Sequence, residues 1–138
     1  MKYAYIDSSV LLRYLLGAGH QAAGLFSWQA AVSSALLRLE CRRALHRLRL
    51  MQQINDEEFA ILNDQLRELL LQIGLFGVTE PILEKAGAGF GVNLGSLDAI
   101  HLATALLWQP AEPGEKILFT HDNALSIAAI SCGLQVAS

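Results

Sequence analysis

The run Tyr3-Ala4-Tyr5-Ile6-Asp7-Ser8-Ser9, continued by Val10 to Leu16, decides how the rest of the chain is read. Tyr3 to Ile6 is short, apolar and β-prone. It ends abruptly in a carboxylate and two hydroxyls, after which the apolar spacing becomes that of a helix. A strand therefore delivers an acid to its tip. In open parallel α/β sheets, ligands gather beyond the carboxyl ends of the strands, which makes Asp7 a candidate for chemistry. The same residue would also serve as N-cap of the helix that follows, and this stretch alone leaves both roles open.

Bulk properties narrow the field. A chain of 138 residues suits one domain, residues 1–138, with a core that needs no metal or disulfide to hold it. Lys+Arg 10 against Asp+Glu 13 gives a formal charge of -3, so any nucleic-acid contact must come from a local patch. A hydrophobic content of 53% and a mean hydropathy of +0.36 are high for a soluble protein and point to apolar surface covered by a partner or a second copy. A homodimer is the expectation. Cys41 and Cys132 lie far apart, with neither a CxxC pattern nor a nearby His at zinc spacing, and read as idle thiols of a reducing compartment. Asp7 arrives too early for a signal h-region, and no run of ~18 uncharged apolar residues occurs. A cytoplasmic protein with no membrane contact is expected.

Taken in order, the chain alternates strands and helices. Val10–Leu16 reads as a helix closed by Gly17-Ala18-Gly19, and His20–Gln29 as another, holding Trp28. Ala30–Ser33 is a strand, and Ser34 caps a long helix from Ala35 to about Met51. Asn55-Asp56-Glu57-Glu58 opens a helix to about Leu71, with acids in the first turn as the dipole prefers. Ile73–Val78 is a third strand, Thr79-Glu80-Pro81 starts a helix, and Ser96 caps an unusually apolar one over Leu97–Trp108. Lys116–Thr120 is a strand, Asn123–Ser131 a helix stopped by Gly133, and Leu134–Ala137 a last strand. The alternation predicts a three-layer α/β fold with a mostly parallel central sheet and right-handed crossovers.

Three more acids stand out by context. Glu40 lies in a helix whose apolar stripe is Leu37, Cys41, Ala44, Leu45 and Leu48; at ~100° per residue it falls about 60° from the stripe's centre, at the core boundary. A boundary salt bridge with Arg43 is the alternative role. Asp98 sits in the first turn of a helix apolar nearly all round, where either the helix dipole or a bound cation would hold it ionised. Asp122 follows Ile117-Leu118-Phe119-Thr120-His121 and precedes a helix, repeating the layout of Asp7 and its two possible roles. If the four converge at the carboxyl edge of the sheet, they form a hard oxygen donor set suited to Mg²⁺ or Mn²⁺ rather than zinc. Phosphodiester hydrolysis is the chemistry that needs such a set, since a divalent ion activates water and offsets charge on the phosphate.

These segments carry a resemblance. Tyr5-Ile6-Asp7-Ser8-Ser9-Val10-Leu11, Leu39-Glu40, Ser96-Leu97-Asp98-Ala99-Ile100-His101-Leu102-Ala103-Thr104-Ala105, and Phe119-Thr120-His121-Asp122 with Ala128-Ala129 and Gly133 together resemble the PIN domain. More narrowly, they are similar to the VapC-type toxins of toxin–antitoxin systems. The likeness spans almost the whole chain, and Leu97–Ala105 is its most specific piece. It implies a PIN-like three-layer fold, endoribonuclease activity, and Asp7, Glu40, Asp98 and Asp122 as both catalytic residues and ligands of one or two Mg²⁺ or Mn²⁺ ions. It also implies supporting roles for Ser9 and Thr120 around the metal or phosphate, and a cognate antitoxin as partner. Relatives with a further acid near the last motif carry it where this chain has Asn123.

Around the acids, Arg38, Arg42, Arg43, Arg47 and Arg49 gather on one helix, with Arg43 and Arg47 on one flank and the others opposite. Arg38, Arg42, Arg43 and Arg47 are the candidates for RNA-backbone contact, as against a solvated helix face. Leu39, nearly opposite the apolar stripe, marks a contact for an antitoxin or second subunit. His101 reads as a packed, hydrogen-bonded histidine and His121 as turned away from Asp122; neither is assigned to catalysis. Trp28 and Trp108 read as core or interface aromatics. Two other functions suit the sequence: an RNA-processing nuclease without an antitoxin, and a non-catalytic RNA- or protein-binding module. A phospho-accepting receiver-like domain ranks below both, because Lys116 begins its strand instead of following one.

Overall fold

A computed structural model of the chain describes residues 2–17 and 30–138. The expected helix over His20–Gln29, with Trp28, lies outside them. The described residues form β1 (Lys2–Ile6), α1 (Ser8–Leu15), β2 (Ala30–Ser34), α2 (Leu36–Leu50), α3 (Asp56–Leu70), β3 (Gly74–Phe76), α4 (Glu80–Ala88), α5 (Ser96–Leu107), β4 (Glu115–Phe119), α6 (Asn123–Ser131) and β5 (Gln135–Ala137).

All four strand pairings are parallel, in the order β3-β2-β1-β4-β5. The sheet is thus wholly parallel. β1 lies at its centre, and the chain winds outward from it first through β2 and β3, then through β4 and β5. The order reverses between β1 and β4, and the crevice beyond their carboxyl ends is where open α/β sheets bind ligands. Asp7 and Asp122 follow those two strands.

β1 is buried on both faces, as expected of the central strand of a parallel sheet. Ala4 and Ile6 pack with Val10, Leu11 and Leu15 of α1, Leu37, Cys41 and Leu45 of α2, and Leu66 of α3. Tyr5, on the opposite face, joins Val32 and Leu118 against Leu102 and Ala105 of α5 and Leu125, Ala128 and Ala129 of α6. Each fully buried leucine contributes roughly 1.5–3 kcal/mol. The two clusters make three layers, with α1, α2 and α3 on one face of the sheet and α5 and α6 on the other.

Local signals explain most boundaries. α3 opens with a reciprocal capping box: Asn55 Oδ1 accepts the Glu58 backbone N–H at 2.8 Å, and Glu58 Oε1 accepts that of Asn55 at 3.0 Å. α6 ends before Gly133, whose φ of +87° is a left-handed conformation open to glycine without strain. Two expected caps shift by one residue. The residue at the start of α2 is Ala35, not Ser34, although the Ser34 hydroxyl accepts the Leu36 N–H at 3.2 Å. α5 starts after Gly95, and Ser96 is already helical. The third strand shortens to Gly74–Phe76 because only three residues find partners on β2.

Candidate active site

Asp7 is 3% exposed and stands at the N-cap position of α1, yet its side chain caps nothing. Its Oδ2 accepts two hydroxyls instead, from Ser9 Oγ at 2.6 Å and Thr120 Oγ1 at 2.8 Å. Each hydroxyl is held in turn by backbone from the loop after β4: Ser9 Oγ accepts the His121 N–H at 3.0 Å, and Thr120 Oγ1 accepts the Asp122 N–H at 3.0 Å. Asp7 N–H completes the connection by donating to Phe119 O at 3.0 Å. The tips of β1 and β4 are thereby stitched together, with a carboxylate buried and hydrogen-bonded between them. Of its two possible roles, capping is the one Asp7 does not play.

Asp122 does cap its helix. Its Oδ1 accepts the Leu125 N–H at 2.8 Å, which leaves Oδ2 without a hydrogen bond among the described residues. Glu40 lies half-buried on α2 and is held across the site by His101, whose Nε2 is 2.5 Å from Oε1. The alternative partner, Arg43, makes no ion pair with it.

Asp98 carries the clearest electrostatic signature. It lies in the first turn of α5, half-buried, with no hydrogen bond or ion pair among the described residues. Its carboxyl is pushed up from 3.8 to about 6, first by desolvation, then by the negative charge of Asp122 and of Asp7 and lastly of Glu40, with only His101 opposing. Repulsion of this kind places the charges of Asp122, Asp7 and Glu40 on the side of Asp98. Asp7 from the tip of β1, Glu40 from the second turn of α2 and Asp122 from the loop after β4 thus lie near enough to Asp98, at the start of α5, for their charges to act on it.

Four carboxylates in one cleft are hard oxygen donors, and a divalent cation is the group that would relieve their repulsion. The donor chemistry fits Mg²⁺ or Mn²⁺. As placed, the acids are gathered without being closed into a shell: no three His, Cys, Asp or Glu side chains among the described residues form an ion-holding cluster. A bound ion would need side-chain rotation at the cleft.

Next to this cleft, Ser8, Leu39, Glu40, Arg43, Ala44, Arg47 and Leu97 line a groove of about 390 Å³. Arg43 and Arg47 therefore stand beside an acid of the site, whereas Arg38 and Arg42 are exposed outside this groove, and Arg49 pairs with Asp56 on α3. Arg13 Nη1 donates to His121 Nδ1 at 3.3 Å. Desolvation and the Arg13 charge lower the affinity of His121 for a proton.

His101 is the packed, hydrogen-bonded histidine the sequence suggests, but its partners come from elsewhere in the chain. It is fully buried and meets Glu40 with Nε2 and the Tyr5 hydroxyl with Nδ1, the latter at 2.8 Å. A polar ring in so apolar a helix had to find partners, but nothing local names residues 61 and 96 positions away. Trp108 packs edge-on against Tyr3 with centroids 5.8 Å apart, an aromatic of the packed interior.

A family model described as the PIN domain matches residues 4–130. Among solved structures, the chain is similar to a toxin–antitoxin complex from Klebsiella pneumoniae, with a TM-score of 0.64 and 19% identity, covering 98% of this chain and 96% of that one. No curated protein matches the chain. Among the described residues, no helix is long and apolar enough to cross a membrane.

Proposed function

As the chain belongs to the PIN domain family, we propose that it is a divalent-metal-dependent endoribonuclease formed by one domain over residues 1–138, and that it is the toxin of a toxin–antitoxin pair. The observation that carries the catalytic part is the buried Asp7 carboxylate held by Ser9 and Thr120 across the tips of β1 and β4, with Asp122 on the same loop as Thr120 and with Asp98 placed where the charges of Asp122, Asp7 and Glu40 are felt. These four are the proposed catalytic residues and cation ligands, with Ser9 and Thr120 in support.

Each residue has a definable task. Ser9 and Thr120 occupy Asp7 Oδ2, fixing the plane of the carboxylate and leaving Oδ1 for the cleft. Asp122 gives one oxygen to Leu125 N–H and keeps the other. Asp98 sits at the positive end of α5, where the dipole favours its ionised form against its neighbours. Mg²⁺ or Mn²⁺, when bound, would supply activation of water and neutralisation of charge on the phosphate. Arg43 and Arg47, one flank of the groove beside Glu40, would hold the flanking phosphates of an RNA strand. Arg38 and Arg42 would add longer-range attraction.

The antitoxin rests on the similar solved structure, a toxin–antitoxin complex, and on exposed Leu39 and Leu97 at the groove. Exposed Phe76, Leu83 and Leu107 offer surface for a homodimer. Free thiols at Cys41 and Cys132 suit the cytoplasm.

The test is cleavage of RNA by the purified chain with Mg²⁺ or Mn²⁺ and with EDTA, alongside Asp98→Asn. Cleavage that needs the cation and is lost in the variant is the expected result. Cleavage in EDTA, or an active Asp98→Asn protein, would overturn the proposal.

A further inference from the structure

We propose that His101 is a positioning residue that pins Glu40 in the cation site, with Tyr5 setting the tautomer of its imidazole; the inference rests on the ribonuclease reading above. His101 is 0% exposed on α5, yet both ring nitrogens are engaged. Nε2 lies 2.5 Å from Glu40 Oε1, and Nδ1 lies 2.8 Å from the Tyr5 hydroxyl. A carboxylate accepts, which puts the proton of this contact on Nε2; in the Nε2–H tautomer Nδ1 is an acceptor, and the Tyr5 O–H donates to it. Tyr5 is well suited to that task. Its hydroxyl is deep in the interior, crowded by Ser33, Thr104 and the backbone of Ser34, and burial keeps the phenol protonated far above its usual range. The rings of Tyr5 and His101 pack edge-on, at 80° with centroids 5.9 Å apart, which restrains the imidazole further.

Three elements meet at this ring: β1 through Tyr5, α2 through Glu40, and α5, which carries His101. Glu40 needs such a restraint more than the other acids do. Asp7 is fixed by two hydroxyls and Asp122 by a backbone N–H, on short side chains at strand ends. Glu40 is longer, projects from the second turn of α2, and shares its groove with Arg43 and Arg47. Either guanidinium would draw the carboxylate away from the cleft, yet Glu40 pairs with His101 and with neither arginine. The histidine therefore decides which way Glu40 faces. Outer partners of this kind typically govern the affinity of a metal site as well as the orientation of its ligands.

The experiment is a Mn²⁺ titration of the full chain followed by water-proton relaxation, on wild type, His101→Leu, His101→Gln and Tyr5→Phe. His101→Leu is expected to weaken Mn²⁺ binding about 10- to 100-fold. His101→Gln, whose amide can present an N–H near the position of Nε2, is expected to recover most of that loss, and Tyr5→Phe to fall between them. Wild-type affinity in His101→Leu, or a glutamine variant as weak as the leucine one, overturns the inference. Should His101→Leu fail to fold, ¹⁵N spectra of histidine in the wild-type protein carry the test. They are expected to show an Nε2–H tautomer for His101 whose resonances move on Mg²⁺ addition; an Nδ1–H tautomer, or resonances indifferent to bound Mg²⁺, overturns it. Failure of the wild-type chain to bind either cation is a different result, which overturns the ribonuclease reading and this inference with it.

Discussion

Replacing Asp98 by Asn should stabilise the cation-free protein while abolishing its activity. In the folded chain the Asp98 carboxyl is raised from 3.8 to about 6, by desolvation first and then by the charges of Asp122, Asp7 and Glu40. Between those two pH values the native state binds more protons than the unfolded state, so stability falls as pH rises through that window. The penalty is absent below 3.8 and complete above about 6. At full burial a rise of that size corresponds to about 3 kcal/mol, and for a half-exposed carboxylate solvent screening reduces it to about 1–1.5 kcal/mol. The variant carries no charge, so at pH 7 in EDTA it should unfold about 3–6 °C above wild type, a gap that closes by pH 4. Saturating Mn²⁺ should invert the order: a ligand at about 100 times its Kd adds about 2.7 kcal/mol to wild type alone. Thermal unfolding of both proteins at pH 4, 5, 6 and 7, with EDTA and with Mn²⁺, reads every part of this. An Asp98→Asn protein less stable than wild type in EDTA at pH 7, or a gap unchanged down to pH 4, would refute the unfavourable placing of the Asp98 charge among its neighbours.

Other perturbations act on separate parts of the account. Thr120→Val removes a donor to the buried Asp7 and the acceptor for Asp122 N–H, and should cost about 1–3 kcal/mol in urea unfolding as well as lowering RNA cleavage; unchanged stability would mean that the hydroxyl network is incidental. Replacing both Arg43 and Arg47 with Ala should weaken RNA binding and flatten the slope of log affinity against log salt by about 1.4, at ~0.7 per phosphate contact on a single strand, with folding stability unchanged. A slope identical to wild type would move the RNA path off this groove. Asn55→Ala removes half of the capping box of α3, far from the cleft, and should cost about 0.5–2 kcal/mol while leaving the cleavage rate of folded protein untouched.

The residues that were legible in the sequence are those whose signal is local. A β-prone run ending in an acid before a helical pattern identified β1 and β4 together with Asp7 and Asp122. Asn55-Asp56-Glu57-Glu58, with its acids at the head of an amphipathic run, marks the start of α3, and the structure adds the reciprocal cap between Asn55 and Glu58. Other features depend on geometry that neighbours in the chain do not set. Whether Ser34 or Ala35, and Gly95 or Ser96, precedes a helix is a matter of backbone dihedrals decided by how β2 and the loop before α5 enter the fold. The length of β3 follows from its partner, since an edge strand extends only as far as β2 pairs with it. The pairing of Glu40 is the instructive case. Arg43, three residues along the same helix, was the nearest opposite charge, yet a histidine on another helix displaced it. A buried imidazole must be satisfied, whereas an exposed guanidinium is content in water.

The most direct test of the central claim is anomalous diffraction at the manganese edge from crystals soaked in Mn²⁺. A peak is expected in the crevice beyond the carboxyl ends of β1 and β4, bound by carboxylate oxygens drawn from Asp7, Glu40, Asp98 and Asp122 and absent from Asp98→Asn crystals. No peak at saturating Mn²⁺, or one that ignores these acids, would contradict it.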